Sequence, residues 1–290
     1  MCDVPRERPL RSTSPLPRRL PMHATSLLDA APGVVLERDG SVARITLNRP
    51  DALNAIDLRT ARLLLRTVAD LDAECSVIVI AAAGRAFCTG GDISAIMGSE
   101  HPDHYLRDLA TTTAQVIHLL EDSRAVVVCA IDGMVAGAGI AFALAADIVI
   151  ATPAALFLSA YGDVGFVPDV GVTAALPRVV GRRRALDFVL SGRPVRAIEA
   201  LEWQLVTEVV PRADLTGRVD ARVRALAAKP AHVAAAARRL LRADPLDRAE
   251  RVVEETDILV EFLAVPATRT LLDAEHERQT RRAARATASV

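Results

Sequence analysis

No stretch of this 290-residue sequence approaches the roughly 18 consecutive apolar residues that a membrane-spanning helix needs. Net charge is also lacking. The formal value is -1, which argues against nucleic acid or another polyanion as partner. The four cysteines, Cys2, Cys75, Cys88 and Cys129, form no metal-type or redox-type pair. Cys75 and Cys129 read as small core residues. Cys88 has no histidine near it in sequence, so a nucleophilic role is the minor reading. The histidines are scattered. His101 and His104 share a helical spacing but lack a third ligand, so they read as a solvated helix start and no metal is expected. Lys229 is the only lysine; with every other basic residue an arginine, this reflects genomic codon usage rather than function. No secretory apolar core stands near the N-terminus. Residues 1–30 are rich in Arg, Pro and Ser without an apolar period, and are expected to be a disordered tail. Asp3, Glu7 and the prolines weaken a transit-peptide reading, and Met22 offers an alternative start. A cytoplasmic location is expected.

The chain is 51% apolar and 24% charged, which suits a sizeable buried core. Val34–Glu37 and Val42–Leu47 read as strands about an Asp39-Gly40 turn. Asp57 is a suitable N-cap for a helix over about 58–73, with Leu58, Ala61, Leu64, Leu65, Val68 and Leu71 on one face. Strands are expected at Val77–Ala82, Val126–Ile131, Ile148–Ala151 and Ala155–Leu158, with helices at Tyr105–Leu120 and Ala138–Ala146. The last of these is almost wholly apolar and should be buried all round. From Gly171 the pattern is helical, broken by strand-like Val206–Val210. The sequence thus divides into the tail, an α/β core over 31–212 and a helical region over 213–290.

Two glycine-rich turns stand out. Val77-Ile78-Val79-Ile80 leads to Phe87-Cys88-Thr89-Gly90-Gly91-Asp92. Val126 to Ile131 leads to Asp132-Gly133-Met134-Val135-Ala136-Gly137-Ala138-Gly139. Two turns with little side chain can aim two backbone N–H groups at one point, which is how an oxyanion hole is built. Alternatively, the glycines only make tight turns. A dinucleotide fingerprint is excluded because Phe142 fills the third-glycine position, and no phosphate-loop lysine follows.

Taken with Leu47-Asn48-Arg49-Pro50-Asp51-Ala52-Leu53-Asn54-Ala55, Gly84 to Asp92, and Val164-Gly165-Phe166-Val167-Pro168-Asp169-Val170-Gly171, these turns resemble the crotonase superfamily, also called enoyl-CoA hydratase/isomerase. The resemblance spans about Val34 to Arg285. It implies a spiral of ββα units with a C-terminal helical trimerisation region, a homotrimer or homohexamer, and an acyl-CoA substrate with no cofactor. It maps the two oxyanion donors to the N–H groups of Gly91 and Ala138, with Gly90 and Gly137 beside them. It assigns Asn54 and Ala55 to the loop lining CoA. Asp92 sits in the substrate-binding turn, and Asp92 and Asp147 are of the kind that tie turns down. Where relatives often carry phosphate-binding lysines, this chain has Asp51 and Ser94, so phosphate contacts fall to arginines such as Arg85 or are weak.

By the same resemblance, hydratases use two glutamates, at positions that here read Ala141 and Tyr161. Ordinary water addition is therefore not expected. Asp169 is the remaining carboxylate. Its segment is similar to that of family isomerases acting on phenylacetate-pathway and dienoyl-CoA substrates, in which the aspartate is the base. The alternative is that Asp169 merely caps a helix beginning near Gly171. Tyr161 either bonds substrate or fills the space of the missing glutamate, and Asp163 is a secondary candidate. The expected enzyme is an enoyl-CoA isomerase. A hydratase, decarboxylase or thioester hydrolase of the same fold, and a non-catalytic acyl-CoA-binding subunit, are the alternatives.

Overall fold

The computed structural model describes residues 33–71, 75–229, 231–242, 256–257, 260, 263–264 and 266–287. The segment 1–30, expected to be disordered, lies outside them. The described chain opens with a hairpin of β1 (Gly33–Asp39) and β2 (Val42–Asn48), in which Asp39 pairs with Val42 across Gly40-Ser41. Gly40 takes φ 57, as such a tight hairpin requires. Helix α1 (Leu58–Ala69) begins at Asp57, whose carboxylate accepts the Thr60 N–H at 2.7 Å. Its inward face holds Ala61, Leu64 and Val68. The helix stops at Ala69 rather than near 73, because Leu71 turns its N–H back to Val68 in a tight last turn.

A repeating unit follows. Each unit gives one strand to a large sheet, one short strand to a second sheet, and then a helix. The first is β3 (Val77–Ala82), β4 (Ala86–Cys88), α2 (Ile93–Met97) and α3 (Pro102–Asp122). The second is β5 (Val126–Ile131), β6 (Met134–Ala136) and α4 (Ala138–Ala145). The third is β7 (Ile148–Ala151), β8 (Leu156–Leu158), a 3-10 turn Gly162–Val164 and α5 (Val172–Val180). Then come α6 (Arg182–Ser191), β9 (Val195–Arg196), α7 (Ala197–Glu202), β10 (Glu208–Val209), α8 (Leu215–Ala227), α9 (Ala231–Arg242) and α10 (Pro266–Thr287).

The large sheet has the order β1-β2-β3-β5-β7-β10 and is parallel beyond its hairpin. Both its faces are covered, which is why its strands read as unbroken apolar runs. Val77 and Val79 pack with Val219 and Val223 of α8, while Ile78 and Ile80 enter the main core. The small sheet is β4-β6-β8-β9. Its strands β4 and β6 were not expected from sequence, since three residues each are too few to show an alternation. They position the site. β4, β6 and β8 run parallel, with Cys88 beside Val135 and Ala136 beside Leu158. Parallel neighbours finish on one edge, so the chain leaves that edge at Gly90-Gly91, at Gly137-Ala138 and at Ser159–Tyr161. Among the described residues, no helix is long and apolar enough to cross a membrane.

Candidate active site

The two glycine turns touch, backbone against backbone. A Cβ added to Gly137 would lie 2.8 Å from the Gly90 Cα, and one added to Gly90 would lie 3.1 Å from the Gly137 Cα and 3.5 Å from the Ala138 nitrogen. Both residues take positive φ, 94 at Gly90 and 51 at Gly137, which favours glycine on conformational grounds as well. Gly139 is needed for closeness too: a Cβ there would stand 2.4 Å from the Cys88 carbonyl oxygen.

The first turn is pinned from behind. Ile56 donates to the Gly90 carbonyl at 2.8 Å and accepts the Asp92 N–H at 2.9 Å. With both flanking groups facing Ile56, strand alternation turns the Gly91 N–H to the other side. Ala138 opens α4, and the first N–H groups of a helix have no intrahelical acceptor. Among the described residues, neither the Gly91 nor the Ala138 N–H donates to a turn, loop or cap acceptor. Two such N–H groups on turns in contact, that of Ala138 at the positive end of a helix, would suit an oxygen that gains negative charge during reaction if they converge on it.

The loop expected to line CoA is held by its own polar groups. Asn54 is 1% exposed. Its Oδ1 accepts the Arg49 N–H at 2.8 Å, and its Nδ2 donates to the carbonyls of Ala83 and Ala86, each at 2.8 Å. Its amide shapes the loop, so any influence on a ligand passes through the backbone. Ala55 is buried, and its carbonyl accepts Arg49 Nη1 at 2.6 Å. Arg49 continues to Asp92 at 2.9 Å and Asp57 at 3.3 Å. Asp92 also caps α2 by accepting the Ala95 N–H at 3.1 Å. Its carboxylate thus ties the turn down.

The carboxylate side lies on the segment after β8. Tyr161 is buried, and its carbonyl accepts the Phe166 N–H at 2.9 Å. Asp163 is exposed within the turn Gly162–Val164. Asp169 is half-buried and its carbonyl accepts the Val172 N–H at 2.9 Å. It is not the N-cap of α5: Gly171 occupies that position, without a side-chain cap bond. Val170, next to Asp169, is 2% exposed and has φ 44. A β-branched residue in the left-handed region costs about 1–3 kcal/mol, and such strain gathers at functional sites. α5 packs on α4, the helix that begins at Ala138.

The other residues singled out in the sequence have the following surroundings. Cys88 is fully buried, and burial pushes its thiol up to about 12, so it is no thiolate nucleophile near neutral pH. His101 and His104 are exposed, and no metal-type cluster occurs among the described residues. Arg85 is exposed. Ser94 is engaged by Gln279 of α10, whose Oε1 accepts the Ser94 hydroxyl at 2.7 Å and its N–H at 3.2 Å. Helix α10 of the same chain therefore crosses α2 and the turns Pro50–Ala52 and Gly162–Val164. Sequence reading missed this contact. Its only signal was the helical spacing of buried Leu272 with Gln279.

A family model described as enoyl-CoA hydratase/isomerase matches residues 37–274. Over 208 residues the chain is 36% identical to 4-chlorobenzoyl coenzyme A dehalogenase-2 of an Arthrobacter species, covering 69% of this chain and 74% of that protein. It is 33% identical over 195 residues to 1,2-epoxyphenylacetyl-CoA isomerase of Escherichia coli K12, covering 65% and 74% respectively. Among solved structures, an enoyl-CoA hydratase from Mycobacterium avium subsp. paratuberculosis superposes with a TM-score of 0.77 at 27% identity, over 85% of this chain and 96% of that one.

Proposed function

The chain belongs to the enoyl-CoA hydratase/isomerase family, whose members process acyl-CoA thioesters, and on that premise we propose that it is an isomerase shifting a double bond in an enoyl-CoA. The thioester oxygen sits between the N–H groups of Gly91 and Ala138. Asp169 removes a proton from the carbon α to the carbonyl, or its vinylogous equivalent. The C–H electron pair moves into the conjugated system and charge collects on the thioester oxygen as a dienolate. Protonated Asp169 then returns the proton to the other end of that system. Atoms and electrons balance without a cofactor. Each N–H donor contributes roughly 3 kcal/mol at the transition state.

The reading is carried by one combination. Two backbone turns meet at Gly90 and Gly137, and Asp169, beside strained Val170, follows on the neighbouring segment. The positions resembling the two hydratase glutamates hold Ala141, buried in α4, and Tyr161. A single carboxylate can shuttle one proton between two carbons, whereas water addition calls for a second group. The test is Asp169→Asn. It should reduce double-bond migration by roughly 10²–10⁴-fold, as loss of a proton-transfer residue does, with acyl-CoA binding nearly intact. Undiminished turnover would end the proposal.

A second reading is favoured by the 36% identity to a chloroaryl-CoA dehalogenase: an aryl-CoA substrate handled by the same carboxylate and oxyanion donors. Chloride release from a chlorobenzoyl-CoA would distinguish it. Assembly into a trimer or hexamer belongs to the proposal too. It is supported by solvent-facing Leu186 and Leu190 on α6 and Ile198 and Leu201 on α7, and light scattering on the purified protein tests it.

A further inference from the structure

Helix α4 presents the Ala138 N–H at its first residue, yet all eight of its residues are buried and none has a polar side chain. Burial is not directional. It holds such a helix in the core, and close packing, such as that of Gly139 against the Cys88 carbonyl, sets the face it turns there. Directional bonds add to this: within the helix the Cys129 thiol donates to the Phe142 carbonyl at 3.5 Å, and the others act at its ends. At the N-terminal end Gly137 abuts Gly90.

The C-terminal end is held by two arginines from α9. Arg242 Nη2 donates to the Ala145 carbonyl at 2.6 Å, and its Nε donates to Asp147 Oδ1 at 2.9 Å. Arg238 Nε donates to Asp147 Oδ2 at 2.6 Å. Its other nitrogens reach the carbonyls of Leu120 at 2.6 Å, Glu121 at 2.7 Å and Ser123, at the end of α3. Asp147 is in turn fixed to β5: its N–H donates to the Val127 carbonyl at 2.8 Å, and Oδ2 accepts the Val127 N–H at 2.8 Å. The Arg238 side chain is 5% exposed. The two guanidiniums face Asp147, and Arg242 lies 3.9 Å from Glu121. The cluster is thus close to charge balance, which leaves position rather than net field as its effect on the site.

We infer that Arg238 and Arg242 are positioning residues for the Ala138 N–H. By locking the C-terminal end of α4, they set where its N-terminal end, about 12 Å away, meets the Gly90 turn. Docking of α9 onto the core thereby completes the oxyanion site. This inference rests on the proposed role of Ala138.

The test uses the full chain and a saturated acyl-CoA with an isotope-labelled thioester carbonyl, observed by difference infrared spectroscopy. Arg242 is the residue to change first, since its side chain is 26% exposed and the fold tolerates its loss better than that of Arg238. Wild-type protein should lower the carbonyl stretching frequency relative to water. Arg242→Ala should lose about half or more of that shift and lower kcat roughly tenfold to a hundredfold, with the dissociation constant of the same acyl-CoA within about twofold. Arg242→Lys keeps the charge without the planar fork and should fall between the two. A purely structural role would lower the melting temperature but leave the band and the turnover of folded protein at wild-type values. That result overturns the inference alone. A wild-type band unmoved from its position in water overturns the oxyanion-hole reading and this inference together.

Discussion

Gly137→Ala is the sharpest perturbation of the site, because its geometry fixes both the size and the place of the damage. The new Cβ would stand 2.8 Å from the Gly90 Cα, where ordinary contact begins at 3.4 Å. Both atoms belong to, or hang from, backbone, so no flexible side-chain end can give way. The turns have to part by about 0.6 Å, and the Ala138 N–H shifts with them. Gly137 also holds φ 51 and ψ -124, angles that a residue with a Cβ adopts at a cost of about 1–3 kcal/mol. Loss of one oxyanion donor removes about 3–4 kcal/mol of transition-state stabilisation, a factor of roughly 10²–10³ in kcat. Following the absorbance of the conjugated thioester as a 3-enoyl-CoA becomes a 2-enoyl-CoA should show a kcat lower by that factor. KM should change much less, because the contact acts mainly in the transition state. Gly217→Ala on the exposed face of α8 is the control. Nothing lies within 4 Å of its added Cβ, so it should stabilise the chain by up to about 1 kcal/mol through helix propensity and leave turnover alone. A Gly137→Ala enzyme turning over at the wild-type rate would refute the convergence of the two donors.

Three further outcomes follow. Cys88 stays a thiol in the folded chain to about 12, whereas its ordinary value is 9.0. The unfolded state therefore loses this proton first, and stability should fall as pH rises from 9.0 toward 12, with a shallower fall in Cys88→Ala. A thiol reagent should leave Cys88 unmodified in the native protein at neutral pH and label it after denaturation, and rapid native labelling would contradict its burial. Asp57→Ala removes the bond to the Thr60 N–H at 2.7 Å and should cost about 1 kcal/mol in denaturant unfolding.

Much of the large sheet was legible in the sequence. Val77–Ala82, Val126–Ile131 and Ile148–Ala151 are strands within the expected bounds, because strands buried on both faces leave continuous apolar runs. The glycine turns were legible as well, since the contact between Gly90 and Gly137 permits almost no other residue. The short strands β4 and β6 were not, for three residues carry no period, although it is their parallel pairing that puts the turns side by side. Polar contacts across long separations were equally hidden. Asn54 reads as part of the loop lining CoA, but the sequence does not show that its amide bonds the carbonyls of Ala83 and Ala86. Arg238 and Arg242 lie in a stretch that reads only as helical, yet they converge on Asp147. A helical period tells which face a residue occupies but not which distant carbonyl waits there.

The most direct measurement is a structure of the wild-type chain with a non-reactive acyl-CoA bound. The thioester oxygen should lie about 2.7–3.1 Å from both the Gly91 and the Ala138 nitrogens, with the Asp169 carboxylate about 3–3.5 Å from the carbon that loses its proton. An oxygen held by other groups, or an Asp169 side chain directed away from the acyl chain, would contradict the mechanism.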